Sequence, residues 1–514
     1  MRTRNRVSMM VVMVALTVSI GHAQDPKTTL TAAINAMGST LLGNIQFTAT
    51  GSTYALGQSY RPDAPWPAFK VTRYKLDVDY MIPAMRMDLD RTNPDGPVQG
   101  GGGLPLAAPQ RQIQNLRGPV AWNMADLTGA NATPAAAGDR PLQIWTSPHG
   151  VIKAAQKAGT DLKVTVERGA DGRNVSVLTF PAAGTIVKAT LNADNLVERV
   201  ETRADNPVLG DVVTETVYSG YKDAKQISLT PVHPEDLTGV MFPTRIVSKQ
   251  GGHPVVDVTV TSVHPNAYMV FPVPDNVQKA ATQQPAAAAP APVKVDVQKV
   301  AEGVYYLTGG THHSVAVEFK DYIVLVEAPQ NEDRVLAVIS TVKQTIPNKP
   351  IKYVVNTHNH FDHSGGLRAA VAEGATIITQ AANKPYYEKV WALPHTITPD
   401  RLAKSPRKPN VEAVADKRVL TDGTRTLELY KLQGSDHSDT MLIGYLPKEK
   451  VLIEADVYTP AAPNAPSGPI NKETANLYGN VQRLRLDVQQ IAALHGRLVT
   501  INDLRAAAGT GATH

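Results

Sequence analysis

The 514-residue sequence contains no cysteine, few aromatic residues and only a small surplus of one charge sign. Without cysteine there can be no disulfide bond, no thiolate nucleophile and no thiolate ligand for a metal ion. A metal site in this chain must therefore be built from histidine and carboxylate side chains. The hydrophobic content of 42% and the charged content of 19% are typical of a globular protein.

The formal net charge of +5 arises partly from the first 23 residues. Three of the 51 basic side chains and none of the 46 acidic ones lie there, which leaves a net charge of about +2 for the rest of the chain. A nearly neutral chain gives no reason to expect a nucleic acid as partner. Nothing in the sequence indicates an oligomeric state.

Residues 1–23 have the layout of a cleavable signal peptide. Arg2, Arg4 and Arg6 form a basic segment, an apolar run follows from Val7 to Ile20, and small residues precede the expected cleavage after Ala23. The run is shorter than the roughly 20 residues that a transmembrane helix needs. We therefore predict a periplasmic or secreted protein without a transmembrane segment.

The composition changes at Val277–Lys294, which is rich in alanine, proline and glutamine. Pro285, Pro290 and Pro292 favour an extended, semi-rigid linker over the alternative of an alanine-rich helix. We expect a signal peptide at 1–23, one domain at 24–276, this linker at 277–294, a second domain at 295–503, and a flexible tail at 504–514.

The first domain is predicted to be mainly antiparallel β. Residues Lys75–Tyr80 alternate polar and apolar side chains, as a half-buried strand does. Leu162–Glu167 and Asn174–Phe180 flank Asp171-Gly172, which indicates a hairpin. The glycine-rich stretch Val98–Pro109 is expected to be a mobile loop. Other predicted elements are a helix at Thr28–Met37 and strands at Thr185–Leu191, Asn195–Glu201, Val212–Tyr218, Phe242–Ser248 and Val255–Val263.

This run of hairpins, together with the segment Gly239–Arg245, faintly resembles the periplasmic lipoprotein-carrier family. That resemblance implies a curved antiparallel sheet over a hydrophobic cavity. The alternative is a structural β-domain that binds no ligand.

The second domain is predicted to have a layered α/β architecture, because apolar strand-like runs alternate with helical ones. The predicted strands are Val304–Leu307, Val315–Phe319, Ile323–Val326, Ile351–Val355 and Ala375–Thr379, and the predicted helices are Asp333–Thr345, Gly366–Val371 and Lys384–Ala392.

The segment from Thr357 to Gly366 carries three histidines and an aspartate after a predicted strand. In extended backbone, residues two apart point the same way, so His358, His360 and Asp362 are expected to converge, with His363 serving a second ion. Imidazoles and carboxylates are ligands for zinc and neighbouring divalent metals.

Three later residues each follow an apolar run. His437 follows Thr426–Leu432, Asp456 follows a run that begins at Val451, and His495 follows one that begins at Ile491. Alone, such residues are more often surface histidines or turn aspartates. Together they supply the additional ligands that a dinuclear site needs.

This order of residues over 295–503 resembles the metallo-β-lactamase superfamily. The resemblance implies an αβ/βα sandwich with two divalent metal ions at one edge of its sheets. It also implies that His358, His360 and His437 bind the first metal, that Asp362, His363 and His495 bind the second, and that Asp456 bridges both.

The same resemblance implies a metal-dependent hydrolase. Two ions, Zn²⁺ or alternatively Fe or Mn, would hold a shared hydroxide that attacks a carbonyl or phosphoryl centre. Asp362 is the candidate proton shuttle, and Tyr458 is the candidate contact for a substrate oxygen. Asp436, Ser438 and Asp439 are candidates for orienting the imidazoles, and Glu327 is expected in a structural role. The pair His312-His313 lies in an early loop with two alternatives: it borders the pocket or, as is more common for such a pair, it belongs to the polar surface.

The expected substrate is a small molecule with an ester, lactone, thioester or amide bond. True metallo-β-lactamases have Cys or Ser where this chain has Asp456, so β-lactamase activity is the second interpretation. A third, of another class, is a periplasmic carrier for a lipophilic molecule, with the metal domain as an accessory.

Overall fold

The computed structural model describes residues 25–126, 129–169, 171–227, 239–283, 292–463 and 470–509. The predicted signal peptide at 1–23 lies outside these ranges. None of the helices in these ranges is long and apolar enough to cross a membrane.

Thirteen antiparallel strands form one sheet in the N-terminal half. They are β1 (Asn44–Tyr54), β2 (Ala68–Asp79), β3 (Ala84–Thr92), β4 (Gln110–Arg117), β5 (Val120–Met124), β6 (Ala130–Ala132), β7 (Lys163–Arg168), β8 (Asn174–Ala182), β9 (Thr185–Leu191), β10 (Val197–Asn206), β11 (Gly210–Ser219), β14 (Arg245–Gln250) and β15 (His253–Pro265). Their spatial order is β6-β5-β4-β3-β2-β1-β15-β14-β11-β10-β9-β8-β7. A separate pair consists of β12 (Lys222–Asp223) and β13 (Met241–Phe242).

Helices cover one face of this sheet. Ile45, Phe47 and Ala49 alternate with more exposed residues along β1, and they are buried in the same core cluster as Met37 and Ile152 of the covering helices. The helices are α1 (Pro26–Met37), α2 (Ala136–Trp145), α3 (Pro148–Ala158), the short α4 (Ala224–Ile227) and α5 (Asp275–Gln283).

The structure differs from the sequence prediction at two segments. The first part of the predicted linker, 277–283, lies in α5 rather than in an extended segment, and this helix ends before Pro285. Residues 284–291 lie outside the described ranges. The predicted tail begins inside a helix, because residues 504–507 belong to α12 (Ile501–Ala507), whose Thr500 and Asp503 form a capping box.

The C-terminal half contains two sheets. The first consists of β16 (Asp296–Ala301), β17 (Val304–Thr308), β18 (Ser314–Glu318), β19 (Ile323–Val326), β20 (Ile351–Val355), β21 (Thr376–Gln380) and β22 (Val411–Val414), in that order. The second consists of β23 (Lys417–Thr421), β24 (Thr426–Lys431), β25 (Leu442–Leu446), β26 (Val451–Glu454), β27 (Gln490–Ala493) and β28 (Leu498–Thr500).

Apolar side chains of both sheets meet in a shared core, where Val317 and Val324 of the first sheet are buried in one cluster with Leu429 and Ile453 of the second. Helices cover the outer face of each sheet, which gives the predicted αβ/βα sandwich. The helices are α6 (Glu332–Thr345), α7 (Phe361–Ser364), α8 (Leu367–Ala372), α9 (Asn383–Val390), α10 (Arg401–Lys404) and α11 (Lys472–Arg483), followed by α12.

Strands β19 to β22 are parallel, as are β26 and β27. The carboxyl ends of parallel strands lie at one edge of their sheet, where loops can present side chains to a shared site. The histidine-rich segment follows β20, and Asp456 and His495 follow β26 and β27.

Candidate metal centre

The structure brings all seven predicted ligands to the same edge of the sandwich, in two groups. One group is His358, His360, His437 and Asp456, whose potential ligand atoms all lie within 4.8 Å of one another. The other is Asp362, His363 and His495, joined by His312 within the same limit.

Asp362 does not point with His358 and His360, contrary to the expectation from strand alternation. Helix α7 begins at Phe361, so the extended backbone on which that expectation depends ends before Asp362. Asp362 instead groups with His363 and His495, which is the division of ligands that the family resemblance implied.

The carboxylate of Asp456 lies at the centre of the site. Its Oδ2 is 3.2 Å from His358 Nε2, 3.1 Å from His363 Nε2 and 2.9 Å from His437 Nε2. Its Oδ1 is 2.7 Å from His495 Nε2. One carboxylate therefore faces imidazoles from both groups, as a bridging ligand must. Asp456 has a positive φ of 64°, a conformation that aspartate tolerates better than most residues.

Several imidazole nitrogens face each other in a way that hydrogen bonds alone satisfy poorly. His358 Nε2 lies 3.0 Å from His360 Nδ1, and His363 Nε2 lies 3.2 Å from His495 Nε2. His437 Nε2 is buried and makes no hydrogen bond, since its 2.9 Å approach to Asp456 lacks hydrogen-bond geometry. Converging nitrogen lone pairs and a shared carboxylate are the donor set that divalent cations require, so these residues fit such ions.

Polar groups on the far side of each ring fix its orientation. His358 Nδ1 is 3.0 Å from Thr357 Oγ1, His363 Nδ1 is 3.1 Å from Glu327 Oε2, and His495 Nδ1 is 3.0 Å from the Thr311 carbonyl oxygen. Such partners hold one nitrogen protonated and leave the other available to a metal. Glu327, expected only in a structural role, orients a predicted ligand.

The three residues predicted to orient imidazoles have other partners. Asp436 pairs with Lys472, Asp439 pairs with Lys431 at 3.1 Å, and Ser438 donates to Asn359 Oδ1 at 3.2 Å. They shape the surrounding loops rather than holding the rings.

The N-terminal half reaches the metal centre through residues 57–60, which we call the 57–60 loop. His360 Nε2 lies 3.0 Å from the Ser59 carbonyl oxygen, which can only accept, so His360 Nδ1 is the nitrogen that faces the site. The backbone N–H of Phe361 donates to the Gly57 carbonyl at 3.2 Å. Sequence reasoning missed this loop because it lies about 300 residues from the motif.

Gln58 of the 57–60 loop contacts a predicted ligand directly. Its Nε2 donates to Asp362 Oδ1 at 2.8 Å, and its Oε1 accepts from the backbone N–H of Gly102 at the same distance. The Gly100 N–H donates to the Asp436 carbonyl at 2.8 Å. The stretch predicted to be a mobile loop is thus held against the metal centre by backbone hydrogen bonds.

His312 also contacts Asp362, which agrees with the alternative that this pair borders the pocket and not with a place at the polar surface. Its Nε2 is 3.1 Å from Asp362 Oδ2, and its Nδ1 is 2.9 Å from Thr311 Oγ1. Only 13% of its side chain is exposed. Its neighbour His313 is buried as well, with Nε2 3.1 Å from the Gly496 carbonyl oxygen.

Burial and neighbouring charges shift the titration of this site. Burial lowers the pKa of His358 to about 4, and it lowers the pKa of His360 too. Burial opposes ionisation of Asp456, but the positive charges of His363 and His437 hold its pKa well below the usual range. His358 and His360 are therefore favoured as neutral imidazoles, the form that binds metal, beside an ionised Asp456. At His363, by contrast, Asp456 and Glu327 outweigh burial and raise the pKa well above its usual value.

A cleft of about 1350 Å³ opens over these residues, and Asp362, His437, Asp456 and His495 line its floor. Tyr458, the predicted substrate contact, is buried in the cluster between the second sheet and its helices, and Thr459 lines the cleft instead.

Comparison with known proteins agrees with this architecture. Residues 307–457 match the family model described as the metallo-beta-lactamase superfamily. No curated protein matches the chain. The family match does not reach the 13-stranded sheet, whose likeness to lipoprotein carriers stays a prediction.

Three solved structures illustrate the similarity. A metallo-beta-lactamase from Pontibacter korlensis is 20% identical, over 42% of this chain and 98% of its own, with a TM-score of 0.31. The metallo-beta-lactamase FIM-1 from Pseudomonas aeruginosa in the mono-zinc form is 18% identical, over 43% of this chain and 96% of its own, with a TM-score of 0.34. A metallo-beta-lactamase from Hirschia baltica is 19% identical, over 42% of this chain and 97% of its own, with a TM-score of 0.32. Residues 307–457 thus match the metallo-beta-lactamase superfamily, and the αβ/βα layers in which they lie agree with that match.

Proposed function

We propose that the chain is an exported, metal-dependent hydrolase that cleaves an ester, lactone, thioester or amide bond of a small molecule. The observation that carries the proposal is the convergence of five imidazoles and the Asp362 carboxylate around Asp456, at the floor of an open cleft. Export is inferred from the basic and apolar pattern of residues 1–23.

Two metal ions would be held by the two groups of side chains. His358, His360 and His437 would bind one ion, Asp362, His363 and His495 the other, and Asp456 both. Two divalent cations bound here would lower the pKa of water toward about 7 and polarise the carbonyl oxygen of the substrate. Zn²⁺ suits this ligand set best, with Fe or Mn as alternatives.

Asp362 is the group of this chain that moves a proton in the proposed reaction. Its side chain is 36% exposed and lines the cleft, so its carboxylate reaches the space where substrate and water meet. It takes a proton from the attacking water and returns it to the leaving group. Gln58 and His312 hold its two oxygens and so fix the direction in which the carboxylate points.

The test combines metal analysis with a hydrolysis screen on the purified full chain. Wild-type protein should contain close to two metal ions per chain and should hydrolyse lactones, thioesters or simple esters. Asp456→Ala should lose bound metal and about 1,000-fold or more in kcat/KM, because the bridging carboxylate is removed. Asp439→Ala is the matched control, since Asp439 pairs with Lys431 and contacts no predicted ligand.

A wild-type chain without stoichiometric metal, or an Asp456→Ala variant that retains full activity, would contradict the proposal. β-Lactams belong in the same screen. If only they are hydrolysed, the β-lactamase interpretation replaces the ester, lactone, thioester and amide class.

A further inference from the structure

The cleft over the metal centre is built by both halves of the chain. At about 1350 Å³ it exceeds the roughly 300–1,000 Å³ of ordinary small-molecule pockets. Its floor carries the predicted metal ligands, whereas one wall comes from the 13-stranded sheet and the loop that follows β3. Wall residues include Phe69, Arg91, Leu104 and Leu106.

This wall is apolar. Ala55, Phe69, Leu104 and Leu106 are buried and form a cluster of their own, separate from the main core of the 13-stranded sheet. All four residues line the cleft, although each is at most 8% exposed. A polar substrate would gain little from such a surface, whereas an apolar group would be removed from water by it.

Two apolar side chains at the cleft are unusually exposed. Leu56 from the N-terminal half is 40% exposed, and Ile470 from the C-terminal half is 64% exposed, and both line the cleft. A ligand with an apolar chain would cover both, which gives a physical reason for exposing them here.

Arg91 places a positive charge in the same wall. Its guanidinium lies 3.9 Å from the centre of the Phe69 ring, and its Nε and Nη2 donate to Gln110 Oε1 at 3.2 and 3.0 Å. Among the residues that the structure describes, none places a carboxylate within 4.0 Å of it. The nearby Arg73 and Arg111, in contrast, both pair with Asp88.

A half-buried guanidinium without a carboxylate partner carries an uncompensated desolvation cost. Burial lowers the pKa of Arg91, and no acidic neighbour offsets that effect. In the part of the chain that the structure describes, its Nη1 has no hydrogen-bond partner. A planar guanidinium with such a donor can bind an anionic oxygen of a ligand. Because Arg91 lines the cleft, an anionic ligand group bound in the cleft can reach it.

We infer that the cleft binds a substrate whose apolar chain lies along Phe69, Leu104 and Leu106, and whose far end is a carboxylate held by Arg91. The scissile carbonyl then lies over the metal ligands at the cleft floor. This inference rests on the proposed hydrolase function and narrows its substrate class to esters or amides of dicarboxylic acids with an apolar chain. The N-terminal half thus selects the substrate, and the metal domain cleaves it.

A matched pair of esters tests the carboxylate site. The 4-nitrophenyl monoester of octanedioic acid and 4-nitrophenyl octanoate share a reacting group and a chain length, and only the first carries a terminal carboxylate. Wild-type protein should prefer the monoester by about tenfold or more in kcat/KM, as a charge-assisted hydrogen bond implies. Arg91→Gln should abolish that preference, chiefly through a higher KM for the monoester.

Arg173→Gln is the control for net charge. Arg173 is exposed in the turn between β7 and β8 and lines no part of the cleft, so both esters should react as with wild type. Leu104→Asn tests the apolar wall, and it should raise KM for both esters. Unchanged metal content and circular dichroism would show that each variant folds. A preference that survives in Arg91→Gln would overturn the inference.

Binding measurements separate this inference from the proposed function. Calorimetry of the metal-loaded protein should show octanedioate binding about tenfold more tightly than octanoate, and Arg91→Gln should make the two affinities equal. If no ester, lactone, thioester or amide is hydrolysed but this difference is found, the hydrolase proposal fails and the Arg91 site stands. If esters are hydrolysed and the two acids bind equally to wild type, the Arg91 site is wrong and the hydrolase proposal stands.

Discussion

Gln58 connects the 13-stranded sheet to the metal centre through one side chain. Its amide nitrogen donates to Asp362, and its amide oxygen accepts from the Gly102 backbone. A side chain that holds a metal ligand in this way typically changes metal affinity by 10- to 100-fold when it is removed.

We therefore expect Gln58→Ala to weaken one of the two metal sites about tenfold, the one that includes Asp362, and to leave the other nearly unchanged. Competition with a fluorescent chelator measures both affinities. Gln99→Ala is the control, because Gln99 lines the same cleft and lies outside both candidate ligand groups. Equal loss at both sites, or no loss at either, would argue against this role of Gln58.

Four candidate metal ligands in the motif from His358 to His363 could be predicted from sequence, because residue type and spacing are enough to identify such a motif. The contacts that Gln58, Ser59 and His312 make with the ligands could not be predicted from sequence. Their contacts to Asp362 and His360 span 50 to 304 positions of the chain. No local pattern marks such a partner, since only the folded chain brings it near.

At the scale of elements, the glycine-rich stretch after β3 approaches the histidine loop more closely than a larger residue permits. A Cβ atom on Gly101 would lie 2.2 Å from Gln58 Oε1 and 2.6 Å from His360 Cε1. One atom belongs to Gln58, which links this stretch to Asp362, and the other to His360, a predicted ligand. Glycine is needed at this position for close approach rather than for a positive φ.

Gly101→Ala should consequently displace His360 or Gln58, lower metal occupancy and reduce activity about tenfold or more. Metal analysis after dialysis and kinetic assays measure both effects. Gly103→Ala tests backbone strain alone, because Gly103 has φ +79° but nothing within 4 Å of an added Cβ. If both variants lose metal equally, steric contact with the metal centre is not the cause.

Helix α3 buries a neutral histidine far from the metal centre. His149 Nε2 lies 3.0 Å from the Met241 carbonyl oxygen, and Nδ1 lies 2.7 Å from Ser39 Oγ. Burial lowers the pKa of His149 to about 3. The unfolded chain therefore binds this proton more readily, so the stability from neutral His149 is present above pH 6.5 and declines as the pH falls toward 3.

Between pH 7 and pH 5, we expect His149 to account for about 2 kcal/mol of lost unfolding free energy. Urea unfolding at both pH values measures this loss. His149→Gln should be less stable at pH 7 but should show a smaller difference between the two pH values. The control is His264→Gln, since His264 is partly exposed. If that variant reduces the difference in unfolding free energy between pH 7 and pH 5 as much as His149→Gln does, the assignment to His149 is wrong.

At the scale of the whole molecule, the two halves meet at the metal centre through the 57–60 loop and the glycine-rich stretch. A second contact lies elsewhere, where the Asp211 carboxylate accepts from the Thr396 N–H at 2.8 Å and from the Ile397 N–H at 3.0 Å. Residues of both halves line the cleft, so the proposed substrate binding depends on how the two halves pack.

Removal of metal should loosen the contact at the metal centre. Because ions that bind only the folded state stabilise it by mass action, chelation should lower Tm by about 5 °C or more. Hydrogen exchange should accelerate at residues 57–60 and 100–102, while strands β8 and β9 keep their protection. Uniform acceleration across the 13-stranded sheet would indicate global destabilisation instead of a local one.

Sequence alone predicted β17 to β21, α6, α8 and α9 of the metal domain and its fold class, because buried runs of fixed period form the same elements in almost any context. It did not predict β16, β22, β23, β25 or β28 of the same domain. For the 13-stranded sheet, β9 is predicted with its observed bounds, whereas β3 to β6 were missed. In β4, for example, polar Gln110, Gln112 and Gln114 surround few apolar residues, and pairing with neighbouring strands stabilises the strand.

Which side chains meet was decided only by the tertiary structure. Strand alternation ended at α7, so Asp362 joined His363 rather than His358. The 57–60 loop lies beside the metal centre, and Arg91 lines the cleft over it, because the N-terminal and C-terminal halves pack against each other at that edge of the sandwich. Local pattern determines elements through short-range sterics and burial, whereas a composite cleft depends on the packing of surfaces that are distant in the chain.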